Sequence, residues 1–219
     1  MVRRGIVLGV LFVATGVAPA LAQSRVEVSG FYGWAFTDGV SGNSIIAGDG
    51  NVYDRVDPKD GQVYGFSVGV LATGNAEVGF IYSRQMSTLL LGGTNDRELG
   101  DLDITTYHGY FGYNFGETQV RPFVFIGFGA TNFSDVPVTI TGVRRTIPGE
   151  TQFSTTWGGG VKVFVARHVG IRVAGQWTPT YIKTDSAGWW CDPYWGCYLV
   201  GNAQYANQFH LDGGVVVRF

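Results

Sequence analysis

The sequence predicts an all-β fold: an eight-stranded antiparallel up-and-down transmembrane β-barrel. Three observations predict it. Residues 211–219 alternate to the last position, with Leu211, Gly213, Val215, Val217 and Phe219 on one parity and His210, Asp212, Gly214 and Arg218 on the other, where Val216 is the one apolar exception. Period-two alternation describes a strand with different surroundings on its two faces, and a closed barrel pairs such a terminal strand with the first one and leaves no edge exposed. Second, connections along the chain alternate strictly between long and short. Third, 45% apolar residues with only 15% charged, and 34 glycines, argue against disorder, and no apolar run of membrane-helix length follows the amino terminus.

The amino terminus reads as a secretory signal peptide over residues 1–22. Arg3 and Arg4 precede an apolar run from Gly5 to Ala18, then Pro19 and the small-x-small triplet Ala20-Leu21-Ala22, with cleavage expected after Ala22. A retained helical anchor is the alternative, and Pro19 and the triplet argue against it. Removing these residues leaves 13 Lys and Arg against 17 Asp and Glu, so the formal charge moves from −2 to −4. That balance gives no basic surplus for nucleic acid. Residues 23–219 form a single barrel domain.

Eight segments read as strands: 26–36, 61–72, 76–86, 101–115, 120–132, 152–165, 169–180 and 205–219. Each meets or exceeds the ~9–11 residues that a tilted membrane strand needs. The connections at 73–75, 116–119 and 166–168 are short, whereas 37–60, 87–100, 133–151 and 181–204 are long and polar. Tight turns on one side and long loops on the other are the asymmetry of bacterial outer-membrane barrels.

Parity assigns the faces. In the third segment Ala76, Val78, Phe80 and Tyr82 face lipid while Glu77, Gly79, Ser83 and Gln85 face inward. The fourth puts Tyr107, Phe111, Tyr113 and Phe115 outward, with Thr106, His108, Gly112 and Asn114 inward. The sixth sets Trp157, Val161, Val163 and Val165 against Thr156, Gly158, Gly160 and Lys162. The seventh sets Ile171, Val173 and Trp177 against Arg172, Ala174 and Gln176. Segment 120–132 is apolar on both parities, and its faces stay unassigned. Aromatics gather at strand ends, as interfacial girdles do. Trp34, Phe36, Tyr82, Tyr107 and Trp177 suit the outer rim, and Phe111, Tyr113, Phe115 and Phe219 the inner one. The mirror reading, a soluble barrel with the apolar stripe inside, does not explain that clustering.

Eight strands enclose a space that side chains just fill. The inward parity supplies Glu27, Glu77, His108, Lys162, Arg172, His210, Asp212 and Arg218. Charges withdrawn from water need partners, so these residues are expected to form an internal polar network. A gated ion path is the alternative use of the same residues.

The segment Asp212-x-Gly214-x-x-Val217-x-Phe219, with the glycine-aromatic runs at 77–85 and 121–129, is similar to the eight-stranded outer-membrane barrel family that includes the transmembrane domain of outer-membrane protein A. The resemblance covers all of 23–219. It implies that Asp212, Gly214, Val217 and Phe219 form a carboxyl-terminal signal read by the outer-membrane assembly machinery. No periplasmic peptidoglycan-binding domain follows Phe219, so cell-wall tethering is not implied.

The fourth long loop holds Cys191 and Cys197, the only two cysteines in the chain. In an oxidising compartment they are expected to form a disulfide. Trp189, Trp190, Tyr194, Trp195 and Tyr198 surround them. On a stapled hairpin these rings suit a surface for an extracellular ligand; packing on one another or lying in the headgroup layer is the alternative. Arg84, Arg97, Arg144, Arg145 and Lys183 are candidates for lipopolysaccharide phosphates, or else solvated loop charges.

Catalytic signals are weak. There is no paired-histidine zinc motif or phosphate loop, and no cofactor is expected. His108, His168 and His210 lie far in sequence from any plausible nucleophile, although distant partners could meet in space. The expected function is structural or surface-interacting, in the outer membrane of a Gram-negative cell. A narrow solute or ion pore is the runner-up, and a lipid-A-modifying barrel enzyme the third reading.

Overall fold

A computed structural model describes residues 26–46, 52–93, 96–116, 118–140, 143–182, 191–192, 196–197 and 205–219. Its elements in order are β1 (Val26–Thr37), β2 (Val40–Ile46), β3 (Val52–Pro58), β4 (Gly61–Leu71), β5 (Ala76–Gly93), β6 (Arg97–Asn114), β7 (Val120–Phe133), β8 (Val136–Ile140) and β9 (Val143–Ile147). They continue with β10 (Glu150–Phe164), β11 (Val169–Tyr181), β12 (Cys191–Asp192), β13 (Gly196–Cys197) and β14 (Tyr205–Arg218).

Eight of these close a ring: β1–β4–β5–β6–β7–β10–β11–β14, with β14 returning to β1. Every pairing is antiparallel. The seam runs from Glu27↔Arg218 to Thr37↔Gln208, so the alternating carboxyl-terminal segment spends its backbone polar groups on both neighbours. Fully paired backbone is what hydrocarbon demands of a spanning structure. No helix among the described residues is long and apolar enough to cross a membrane.

Exposure decides which way the stripe points. Val173 is 61% exposed, Phe128 59% and Val215 53%, whereas His108 is 0% exposed and His210 1%. Charged and polar side chains are inside and valines and rings outside, the reverse of a soluble core. The same test resolves β7. Phe123 and Phe125 are buried inside the ring, whereas Val124 and Phe128 face out.

The structure corrects the reading of the long connections as polar loops. All four carry strand residues, the fourth as the short β12–β13 ladder. β2 pairs with β3, β3 lies along the outer part of β5, and β5 and β6 run on as 18-residue strands. β8 and β9 form a separate hairpin. For the ends of β5 and β6 and for the β8–β9 hairpin the cause is apolar content. Leu89, Leu102, Ile104, Phe133, Val136 and Val138 form a buried cluster, with Leu91, Leu99 and Ile147 packed against it. The inward face of β5–β6–β7 therefore turns apolar at its outer end, and β8 packs on it.

The three turns at the opposite end are tight. Ala72 N–H donates to the Ala76 carbonyl at 2.9 Å, and Val165 N–H to that of Val169 at 3.1 Å. Gly116 takes φ of 77°, the left-handed conformation that a residue without Cβ adopts at no steric cost.

Candidate functional site: the barrel lumen

Side chains fill the lumen in layers. Nearest the tight turns is a charged layer. Arg218, the register partner of Glu27 across the seam, is ion-paired with it through one carboxylate oxygen. The other oxygen of Glu27 accepts from Lys162 Nζ at 2.6 Å. Lys162 reaches across to Glu77 at 2.8 Å. Glu77 also accepts from the Tyr110 hydroxyl at 2.5 Å and from Asn114 Nδ2 at 3.0 Å. Four barrel strands, β1, β5, β10 and β14, are thus tied through one chain of charges.

A second group lies beside it. Arg172 Nη2 stands 3.5 Å from Asp212, and His210 Nε2 stands 3.4 Å from the other oxygen of the same carboxylate. Arg172 also donates to Ser67 Oγ at 3.4 Å. Three acids (Glu27, Glu77, Asp212) face three basic side chains (Lys162, Arg172, Arg218), all eight predicted network residues are buried, and His108 sits higher up. A balanced set avoids an uncompensated buried charge, which is the costly arrangement in low dielectric.

The cations rest on aromatic faces that sequence reasoning did not place. Arg172 lies 5.0 Å over Phe31 and 5.6 Å over Phe123, and Lys162 lies 5.1 Å over Phe123. Arg218 and Arg121 stack on Phe164 at 4.2 and 5.5 Å. A ring face attracts a desolvated cation at such distances. Parity alone could have found Phe31, Phe164 and Tyr110, since each shares the parity of an inward polar residue: Glu27, Lys162 and His108. Phe123 and Phe125 share the parity of Arg121 and Thr131, a thin signal in a segment whose other residues are mostly apolar on both faces.

Above the charges lies a neutral layer of hydroxyls and amides. Ser83 and Thr106 hydroxyls are 2.6 Å apart, Thr180 Oγ1 donates to Thr131 at 3.0 Å, and Gln85 accepts from Gln208 and bonds Thr37. Here the fold joins two residues that sequence distance separated. His108 Nε2 is 2.9 Å from Ser154 Oγ. The pair is buried, Nδ1 of His108 has no hydrogen-bond partner among the described residues, and Ser154 also accepts from Thr131 at 2.9 Å. Among the described residues no carboxylate bonds the imidazole, so no third group orients it there. Among the described residues no group of acids, histidines and cysteines could hold a metal ion.

A void of about 20 Å³ lies among Ser29, Ser67, Tyr110, Lys162 and Arg172, room for a water and little more.

The other sequence-predicted residues are distributed as follows. Asp212 points into the lumen, Gly214 lies against β1 with Gly30 and Phe31 crowding it, and Phe219 projects outward at the inner rim. Arg84 faces outward and is ion-paired with Asp103 at 2.5 Å, and Arg97 is exposed. Cys191 and Cys197 are direct register partners in the β12–β13 ladder, with side chains outside the described set. Trp189, Trp190, Tyr194, Trp195, Tyr198 and Lys183, with residues 1–22, lie outside the described residues, as do the side chains of Arg144 and Arg145.

The model of the outer membrane protein beta-barrel domain matches residues 6–219. The chain belongs to that family of outer-membrane barrels. Solved structures agree on the fold. The outer membrane protein OprG from Pseudomonas aeruginosa superposes with a TM-score of 0.61 at 12% identity, covering 90% of this chain and 96% of that one. Neisserial surface protein A gives 0.52 at 14% identity, covering 90% and 97%. Outer membrane protein AlkL, solved in lipid bilayers, gives 0.53 at 13% identity, covering 89% and 90%. Among curated proteins none matches significantly.

Proposed function

We propose that this barrel is a structural and surface-interaction protein of the outer membrane, without catalytic activity and without an open channel. The observation that carries the reading is the filled lumen. The Arg218–Glu27–Lys162–Glu77 chain spans it, and the void beside that chain measures about 20 Å³. The extended strands and the β8–β9 hairpin supply a built outer surface that suits contact with other molecules. Residues 1–22 direct export and are removed, and Asp212, Gly214, Val217 and Phe219 address the chain to the assembly machinery. Lipopolysaccharide contacts the outer face, and the aromatic fourth loop, stapled by Cys191 and Cys197, is its ligand-binding element. Facing positions on an antiparallel ladder suit such a staple.

Planar-bilayer recording tests this reading. Purified protein should give no steady single-channel steps; a stable ohmic conductance would establish the pore reading instead. The enzyme reading rests on the Ser154–His108 contact, and mass spectrometry of lipid A from cells with and without the protein decides it. An altered acyl pattern that Ser154→Ala abolishes would overturn the non-catalytic assignment.

A further inference from the structure

One part of the outer rim is built differently from a plain aromatic girdle. Phe36, Phe209 and Trp177 stand in a single lateral row on β1, β14 and β11, all facing outward. The rings of Phe36 and Phe209 lie 6.5 Å apart and 25° from parallel. One step further out the same patch becomes polar. Asp38 N–H donates to the Asn207 carbonyl at 2.9 Å, and the side-chain oxygen of Asn207 accepts from Trp177 Nε1 at 3.3 Å. That bond fixes the indole, so one wall is set in advance. Together Phe36, Asp38, Trp177, Asn207 and Phe209 line a groove of about 310 Å³.

Charge selects what could enter it. Asp38 is exposed and sits at the polar end of the groove. A second carboxylate, Asp60, accepts from Thr37 N–H at 3.1 Å, one residue away. Neither acid is ion-paired to a cation among the described residues. Asp38 at the groove and Asp60 near it repel a phosphate and attract an ammonium. The three aromatic side chains that line the groove suit a cation carrying methyl or methylene groups. A girdle accounts for the rings but not for the acids above them. Below the row the outward surface continues through Leu211 and Val173, both exposed and apolar, so an alkyl tail has a wall to follow.

We propose that this groove binds the ammonium head group of an amphiphile, with its charge against Asp38, its carbon substituents on Phe36, Phe209 and Trp177, and its tail along the barrel wall. The site is separate from the lumen network, and the inference goes beyond the structural role proposed above.

The test uses the refolded protein in neutral dodecyl maltoside micelles, with the indole ¹⁵N–H signal of Trp177 assigned through Trp177→Phe. Dodecyltrimethylammonium should shift that signal saturably. Asp38→Asn should weaken the apparent affinity about tenfold, the size expected for a partly desolvated charge contact. Asp101→Asn, which removes an equal charge from β6, should leave it unchanged. A shift that fails to saturate, or an Asp38→Asn variant that titrates like the parent, overturns the site. Tetramethylammonium binding as tightly as the tailed probe overturns the amphiphile assignment. Both substitutions lie on the outer rim, and unchanged heat-modifiable gel mobility would show that the barrel is intact.

Discussion

Glu27 and Arg218 are register partners across the seam where the first and last barrel strands meet, and their side chains form an ion pair inside the ring. Closure of the wall and closure of the charge network therefore happen at one place. Lys162 then carries the same carboxylate's second oxygen to β10, and Glu77 carries Lys162 to β5.

Glu27→Ala should be the most damaging single change in the network, because it leaves both Arg218 and Lys162 buried without that acid. The expected loss is about 3–5 kcal/mol. Glu77→Ala should act in the same direction but less, since Lys162 retains Glu27. Urea titration of the folded band in detergent reads both; a midpoint unmoved by Glu27→Ala would show that the pair contributes nothing to stability.

Removing both partners should cost less than the two single losses added together. In Glu77→Gln with Lys162→Met, the double variant should be more stable than the sum of the single losses predicts, with a coupling energy of about 0.5–3 kcal/mol. Strict additivity would mean that the 2.8 Å contact carries no energy of its own.

Tyr110 reaches Glu77 through space left by glycines. A Cβ on Gly69 would meet the Glu77 carboxylate and the Tyr110 hydroxyl, and one on Gly79 would press on the Tyr110 ring. Gly69→Val should therefore displace Tyr110 from Glu77 and lower the urea midpoint, whereas Gly30→Ala, with nothing within 4 Å of the added Cβ, should not. Equal midpoints in the two variants would refute the packing argument.

The apolar cluster beyond the lumen should hold the outer hairpin rather than the barrel. Leu102→Ala removes a buried side chain from it, a change that in cores costs about 2–5 kcal/mol. Limited proteolysis should then cut within 134–149 sooner, with heat-modifiable mobility unchanged. Unaltered cleavage would mean that β8–β9 is held by something else.

Replacing Cys191 and Cys197 with Ser should leave the barrel folded and speed proteolysis of the fourth loop. No change in proteolysis would make the staple dispensable.

The barrel itself was legible because two-solvent strands write their faces into the sequence. Val173 beside Arg172, or Phe111 beside Gly112, can be read by parity alone. β7 was harder, since Phe123 and Val124 are equally apolar, and in the structure it is Phe123 that turns inward beneath the cations from β10 and β11. The outer strands escaped notice for a different reason. Leu89 and Val136 are far apart in the chain and their segments carry many polar residues, so the cluster they share exists only in three dimensions. The Ser154–His108 contact is likewise a product of the folded barrel, its members lying 46 positions apart in the chain.

β3 does not stand alone above the bilayer: Pro58 pairs with Leu89 and Val56 with Leu91, and Lys59 N–H donates to the Thr88 carbonyl at 2.8 Å. The first and second external segments consequently present themselves as one sheet. An antibody raised against folded protein should recognise both at once, and synthetic peptides copied from either segment alone should compete poorly for it.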